Sequence, residues 1–141
     1  MRSRLNSIAA LTLLAVACVL GGSFAIAQTI HVPVRNIVLK NGETTEFGDL
    51  WYISRDCKSL MSGTPQVEIM EGPPGVTVEI RPAQVVPREL SCANPIAGGK
   101  LFIAAKGVEE YSRSTMVLRV TYKTRNGDRQ KAQHISVTLF P

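Results

Sequence analysis

Two histidines, His31 and His134, and three cysteines, Cys18, Cys57 and Cys92, are the side chains best suited to act as bases, nucleophiles or soft ligands. Nucleophilic catalysis needs a nucleophile, a base within hydrogen-bond reach and a group that orients the base. His134 falls on the polar side of an alternating run, and His31 stands just past the Ala25-Ile26-Ala27 triplet. No Gly-x-Ser-x-Gly or His-Glu-x-x-His pattern accompanies either one. The carboxylates that sit close in sequence, Glu43 with Glu46 and Glu109-Glu110, occupy turn-like polar surroundings that point them at solvent. A soft-metal site wants Cys, His and Met side chains converging. Met61, Met70 and Met116 are scattered, and Met116 sits on an apolar strand face where packing is its natural role. Gly98-Gly99 precedes a strand pattern, with no helix N-terminus to supply amides to a phosphate. We therefore expect no enzyme, no cofactor and no metal site. The competing expectation is a periplasmic metal carrier or an enzyme whose site the sequence does not advertise; metal analysis separates the two.

The N-terminus places the chain. Arg2 and Arg4 precede an apolar stretch from Ile8 to Leu20, and the small residues of Ala25-Ile26-Ala27 stand before Gln28. A positive segment, an apolar segment and an Ala-x-Ala site together read as a cleaved secretory signal over residues 1–27. Two rival readings are weaker. An uncleaved anchor is long enough to span a bilayer, which takes about 20 residues, but Gly21, Gly22 and Ser23 loosen that helix. Lipidation at Cys18 would put Ala15 three residues before the cysteine and leave an apolar chain after it. The expected mature protein is a single domain over residues 28–141, periplasmic or secreted, without stable membrane insertion after cleavage.

Export changes the meaning of the remaining cysteines. Cys57 and Cys92 form an even pair in an oxidising compartment, so a disulfide is expected. Closing so long a loop removes about 3.5–4 kcal/mol of unfolded-chain entropy on the chain-entropy model. Charge is less telling. The whole chain carries 16 Lys plus Arg against 11 Asp plus Glu; losing Arg2 and Arg4 leaves 14 against 11, or a net +3. The cations are dispersed among acids, as at Glu109, Glu110 and Arg113. Nucleic-acid binding would want a basic stripe with interleaved aromatics, so no nucleic-acid partner is expected.

Positioning falls to strands. Short β-branched runs alternate with Gly, Pro and Asn punctuation, and no amphipathic helical repeat occurs. Strands are expected over residues 30–39, 47–54, 66–70, 76–81, 100–106, 114–124 and 129–140. Met116, Leu118, Val120 and Tyr122 share one face of the sixth run, and Ile135, Val137 and Leu139 one face of the seventh. Asn126-Gly127 between them favours positive φ in a tight hairpin. Pro82, Pro87, Pro95 and Gly98-Gly99 make residues 82–99 read as one long connection. About seven strands without helices must stack as two sheets, so the expected class is an all-β, immunoglobulin-like sandwich behind a signal-peptide helix.

The layout resembles the small immunoglobulin-like sandwich proteins exported by Gram-negative bacteria, many of which have no assigned activity. Leu50-Trp51-Tyr52-Ile53 before Cys57, the Gly72-Pro73-Pro74-Gly75 turn, Cys92-Ala93-Asn94-Pro95 and the Asn126-Gly127 hairpin carry this resemblance. It implies a fold only, and it transfers no functional residue. Both cysteines fall at strand ends or in loops, and Trp51 precedes the first of them, unlike the antibody pattern.

Two surfaces are candidates for contact with an unknown protein or cell-envelope component. One surrounds the expected staple, with Arg55, Lys58, Arg88 and Asn94. The other is the terminal hairpin tip, where Lys123, Arg125, Arg129 and Lys131 could meet anionic groups.

Overall fold

The alternating runs form seven strands, β1 (Arg35–Lys40), β2 (Thr44–Leu50), β3 (Gln66–Glu71), β4 (Val76–Val85), β5 (Ile96–Ala105), β6 (Ser112–Thr124) and β7 (Gly127–Phe140). A 3-10 turn at Arg88–Leu90 interrupts the connection after β4. This is a computed structural model that describes residues 34–141. The expected signal segment, Cys18 and His31 lie outside the described residues. Among the described residues no helix is long and apolar enough to cross a membrane.

The strands make a four-stranded sheet in the order β1-β7-β6-β3 and a three-stranded sheet in the order β2-β5-β4. All neighbours run antiparallel except β1, which lies parallel to β7. One apolar cluster joins the two sheets. Leu39, Met116, Leu118, Val120, Ile135 and Val137 come from the first sheet, and Phe47, Leu50, Leu101 and Ile103 from the second. Each such side chain, fully buried, contributes about 1.5–3 kcal/mol relative to exposure. The inward faces expected for β6 and β7 are the buried ones.

The long connection is corrected. Residues 82–85 belong to β4 and residues 96–99 to β5, which leaves only residues 86–95 as loop. Proline is tolerated at position 82 because β4 is an edge strand, where a missing N–H need not break a ladder. The glycines stand in the central strand β5 because its neighbours come too close for a side chain. A Cβ at Gly98 would sit 2.5 Å from Val85 Cγ2 and 2.6 Å from the Leu50 carbonyl oxygen.

Other boundaries shift as well. β2 ends at Leu50 instead of residue 54, after a bulge between Glu46 and Gly48. Trp51 and Tyr52 thus leave the sheet, and only isolated bridges, Ile53 to Ser59 and Met61 to Thr124, follow before β3. In the hairpin, Thr124 pairs with Gly127, so Arg125-Asn126 is the loop. Gly127 alone there has positive φ, at 102°, so Asn126 does not share the left-handed conformation.

Burial also sets an alkaline limit. Tyr122 packs its ring 5.7 Å from that of Tyr52, and burial pushes its phenol above the ordinary value. The neutral phenol is therefore favoured in the folded state. The stability it gives is complete below about pH 10, where the unfolded phenol titrates, and is lost as pH rises through the folded value. Urea midpoints measured from pH 8 to 11.5 should fall more steeply for the native protein than for Tyr122→Phe.

Candidate functional site

β7 outruns its neighbour. β6 pairs with it from Gly127 to Leu139, whereas β1 covers only Ile135 to Phe140. Residues 128–134 are therefore paired on one side alone among the described residues. The direction of their backbone groups follows from a hydrogen bond at the far end: the Phe140 carbonyl accepts from the Asn41 N–H, on the β1 side. The β6 register runs without a shift along β7, and backbone groups alternate sides along a strand. Asp128, Gln130 and Ala132 thus aim their N–H and C=O groups at the open edge, and His134 its N–H; the His134 carbonyl accepts from the Arg35 N–H in the parallel register of β1. The intervening Arg129, Lys131 and Gln133 continue the inward side of Ile135, Val137 and Leu139.

That side opens into a cleft between the sheets. Its walls are the chain from Phe47 to Ile53, the segment around Val85, Val86 and Arg88, and every residue of β7 from Asp128 to Ile135. It is a half-open groove of about 1490 Å³, larger than the ~300–1,000 Å³ usual for a small-molecule pocket. A second hollow, beside Ser59, Met61 and Thr64, is lined by no titratable side chain.

Five cations reach the cleft: Arg35, Arg88, Lys100, Arg129 and Lys131. Two of them are engaged. Arg35 donates to the Phe47 carbonyl at 2.7 Å and lies 4.1 Å over the Phe47 ring. Lys100 pairs with Glu46 and Asp49, and its hydrogen bond to Glu46 holds its ammonium above the ordinary lysine range. Arg88, Arg129 and Lys131 make no ion pair among the described residues. Of the wall's carboxylates, Asp128 is taken by Lys123 at 3.0 Å and Asp49 by Lys100 at 3.5 Å. Glu89 follows Arg88 directly in the chain.

The two surfaces suggested by the sequence are thereby redrawn. Arg88 of the first and Arg129 and Lys131 of the second line one cleft. Arg55 and Lys58 flank Cys57 in an exposed turn interrupted by Asp56, and Asn94 is exposed on the loop before β5; none of the three lines the cleft. Lys123 is tied to Asp128 and Arg125 is left at the hairpin tip, so four free cations do not gather there. Sequence reasoning missed Trp51 and Tyr52, which become wall residues because β2 stops at Leu50, and Arg35, which opens β1 and reaches across to Phe47. His134 lies at the cleft's end, on the open edge of β7.

The disulfide braces this arrangement. Cys57 and Cys92 are bonded, with Cα atoms 5.7 Å apart. It ties the loop that follows Trp51 to the loop that carries Arg88. Both loops sit against the cleft, one contributing Trp51, Tyr52 and Ile53 and the other Val86, Arg88 and Glu89. Ser91 next to Cys92, and Cys57 itself, have φ of 59°, a conformation that costs a residue with a Cβ about 1–3 kcal/mol.

No family model, curated protein or solved structure matches this chain. The geometry alone carries the functional reading. Among the described residues no group of three His, Cys, Asp or Glu side chains is placed to hold a metal ion. Among the described residues, backbone groups open on one edge, three cations without an ion pair and Trp51 lie along one cleft.

Proposed function

We propose that this chain is an exported, non-enzymatic, immunoglobulin-like module of the periplasm or extracellular space that acts by contact with another protein or envelope component through the β2–β7 cleft. The observation that carries the reading is the set Arg88, Arg129 and Lys131, unpaired among the described residues and lining, with Trp51, one braced groove. Three further features support it. Immunoglobulin sandwiches place their second, fifth and fourth strands in one sheet and their third, sixth and seventh in the other, the partition found here. The first strand departs from that scheme by joining the seventh. The disulfide belongs to an oxidising compartment. Arg2, Arg4, the apolar run and Ala25-Ile26-Ala27 supply the export pattern.

A photo-crosslinking residue placed at Gln133, inside the cleft, should give a discrete adduct in intact cells. The same group at Thr115, on the outer face of β6, should not. Replacing Arg129 and Lys131 with glutamate should remove the Gln133 adduct. Equal labelling at both positions, or an adduct indifferent to charge reversal, would refute contact through the cleft.

A further inference from the structure

We infer that the cleft's occupant is an extended, acidic peptide segment that joins the four-stranded sheet as an added strand beside residues 128–134 of β7. The inference rests on the contact reading above and names the partner's chemistry and its mode of docking. Strand addition draws affinity from main-chain hydrogen bonds at an open edge and specificity from alternate side chains. Both requirements are present in one place. Among the described residues the edge offers the N–H and C=O groups of Asp128, Gln130 and Ala132 and the N–H of His134, and the cleft runs beside all of them.

Charge selects the strand. A peptide in this lane lies in line with β1, next to β7, and turns every second side chain toward the interior side. There it meets its cross-strand neighbours Arg129 and Lys131, with Arg88 on a neighbouring wall. Opposite charges across a strand pair are favourable and like charges unfavourable. Cations on an edge also hold off indiscriminate pairing, so the same side chains that discourage a neutral or basic strand admit an acidic one. A compact anion would use the cations and leave seven backbone groups unanswered. A strand satisfies both.

The test uses the intact exported protein and three probes. One is an end-blocked seven-residue peptide of alternating Glu and Val, one its Lys-for-Glu counterpart, and one inorganic polyphosphate. Trp51, the one tryptophan of the chain, reports binding by fluorescence, and amide hydrogen exchange locates it. The Glu peptide should bind at least tenfold more tightly than the Lys peptide and slow exchange at Asp128, Gln130, Ala132 and His134 together. Ala132→Pro removes an N–H that faces the open edge and breaks no bond to β6. It should weaken the Glu peptide tenfold or more and leave polyphosphate binding unchanged. Arg129→Glu with Lys131→Glu should weaken both anions and reverse the peptide preference. Should Ala132→Pro fail to fold, the exchange pattern in the native protein decides alone.

Binding of the Glu peptide without protection at those four amides, or with no response to Ala132→Pro, would overturn strand addition while contact through the cleft survives. Slow exchange at the same amides in the unliganded protein would overturn it too, since the edge would already be occupied by the chain itself or by a second copy. Indifference of every probe to charge reversal would bring down both this inference and the contact reading.

Discussion

Removing the disulfide by Cys57→Ala with Cys92→Ala is expected to lower the stability of the domain by about 3.5–4 kcal/mol. The two residues are 35 apart in sequence, and the crosslink denies the unfolded chain every conformation in which they separate. Against a typical domain stability of about 5–15 kcal/mol, that is a large share. Alanine is the better probe than serine because Cys92 is only 4% exposed, and a hydroxyl left there would add its own desolvation cost. Neither cysteine belongs to the cluster that joins the sheets. The double variant should therefore still fold, with the same strand content by circular dichroism and a lower urea midpoint. The cleft should suffer more than the core. Its two loop walls lose their common tether, so the emission of Trp51 should shift toward that of an exposed indole and the affinity for an acidic strand should fall. A stability loss under about 1 kcal/mol would mean that the loops are held together without the bridge, and the braced-groove argument would fail with it.

The core was legible from spacing, and the cleft was not. Met116, Leu118, Val120 and Ile135, Val137, Leu139 alternate with polar residues, and a half-buried strand leaves that signature whatever its partners are. All six are buried. The cysteine pair was equally readable, since the export expected from the sequence leaves two thiols and one economical fate for them. What period-two patterning cannot show is where two strands stop overlapping. Arg129, Lys131 and Gln133 continue the inward phase of β7 yet are polar, so alone they read as a charged hairpin tip. Only the register shows that β1 begins opposite Ile135 and, among the described residues, leaves the first half of β7 open. Arg88 joins them because the chain folds back after β4, a pairing between segments some 40 residues apart that no local pattern records. Trp51 was placed in a strand because Leu50-Trp51-Tyr52-Ile53 has strong strand propensity. The bulge before Gly48 and the stop at Leu50 override that propensity.

Residues 82–99 were misread for a different reason, and the same reason yields the second large effect. Glycine signals a turn, but it also marks a place where another backbone approaches too closely for a side chain. Gly98→Ala is expected to destabilise the domain by about 3 kcal/mol, the upper end of the usual cost of overpacking. The added methyl would stand 2.5 Å from Val85 Cγ2 on one side and 2.6 Å from the Leu50 carbonyl oxygen on the other. The valine can retreat by changing rotamer, whereas the carbonyl belongs to the backbone of β2 and cannot move without carrying the strand. Gly63→Ala is the control, since a methyl there meets nothing within 4 Å and the backbone is not left-handed. It should be neutral or slightly stabilising, by up to about 1 kcal/mol, through a less flexible unfolded chain. Adding Val85→Ala to Gly98→Ala should relieve only the side-chain half of the clash, leaving a residual loss that urea unfolding can measure. Full recovery in the double variant would show that the Leu50 carbonyl yields freely. The residual matters for function because Leu50 leads directly into Trp51. A strand pushed aside at Leu50 moves one wall of the cleft, so Gly98→Ala should weaken binding of an acidic strand although residue 98 lies outside the cleft.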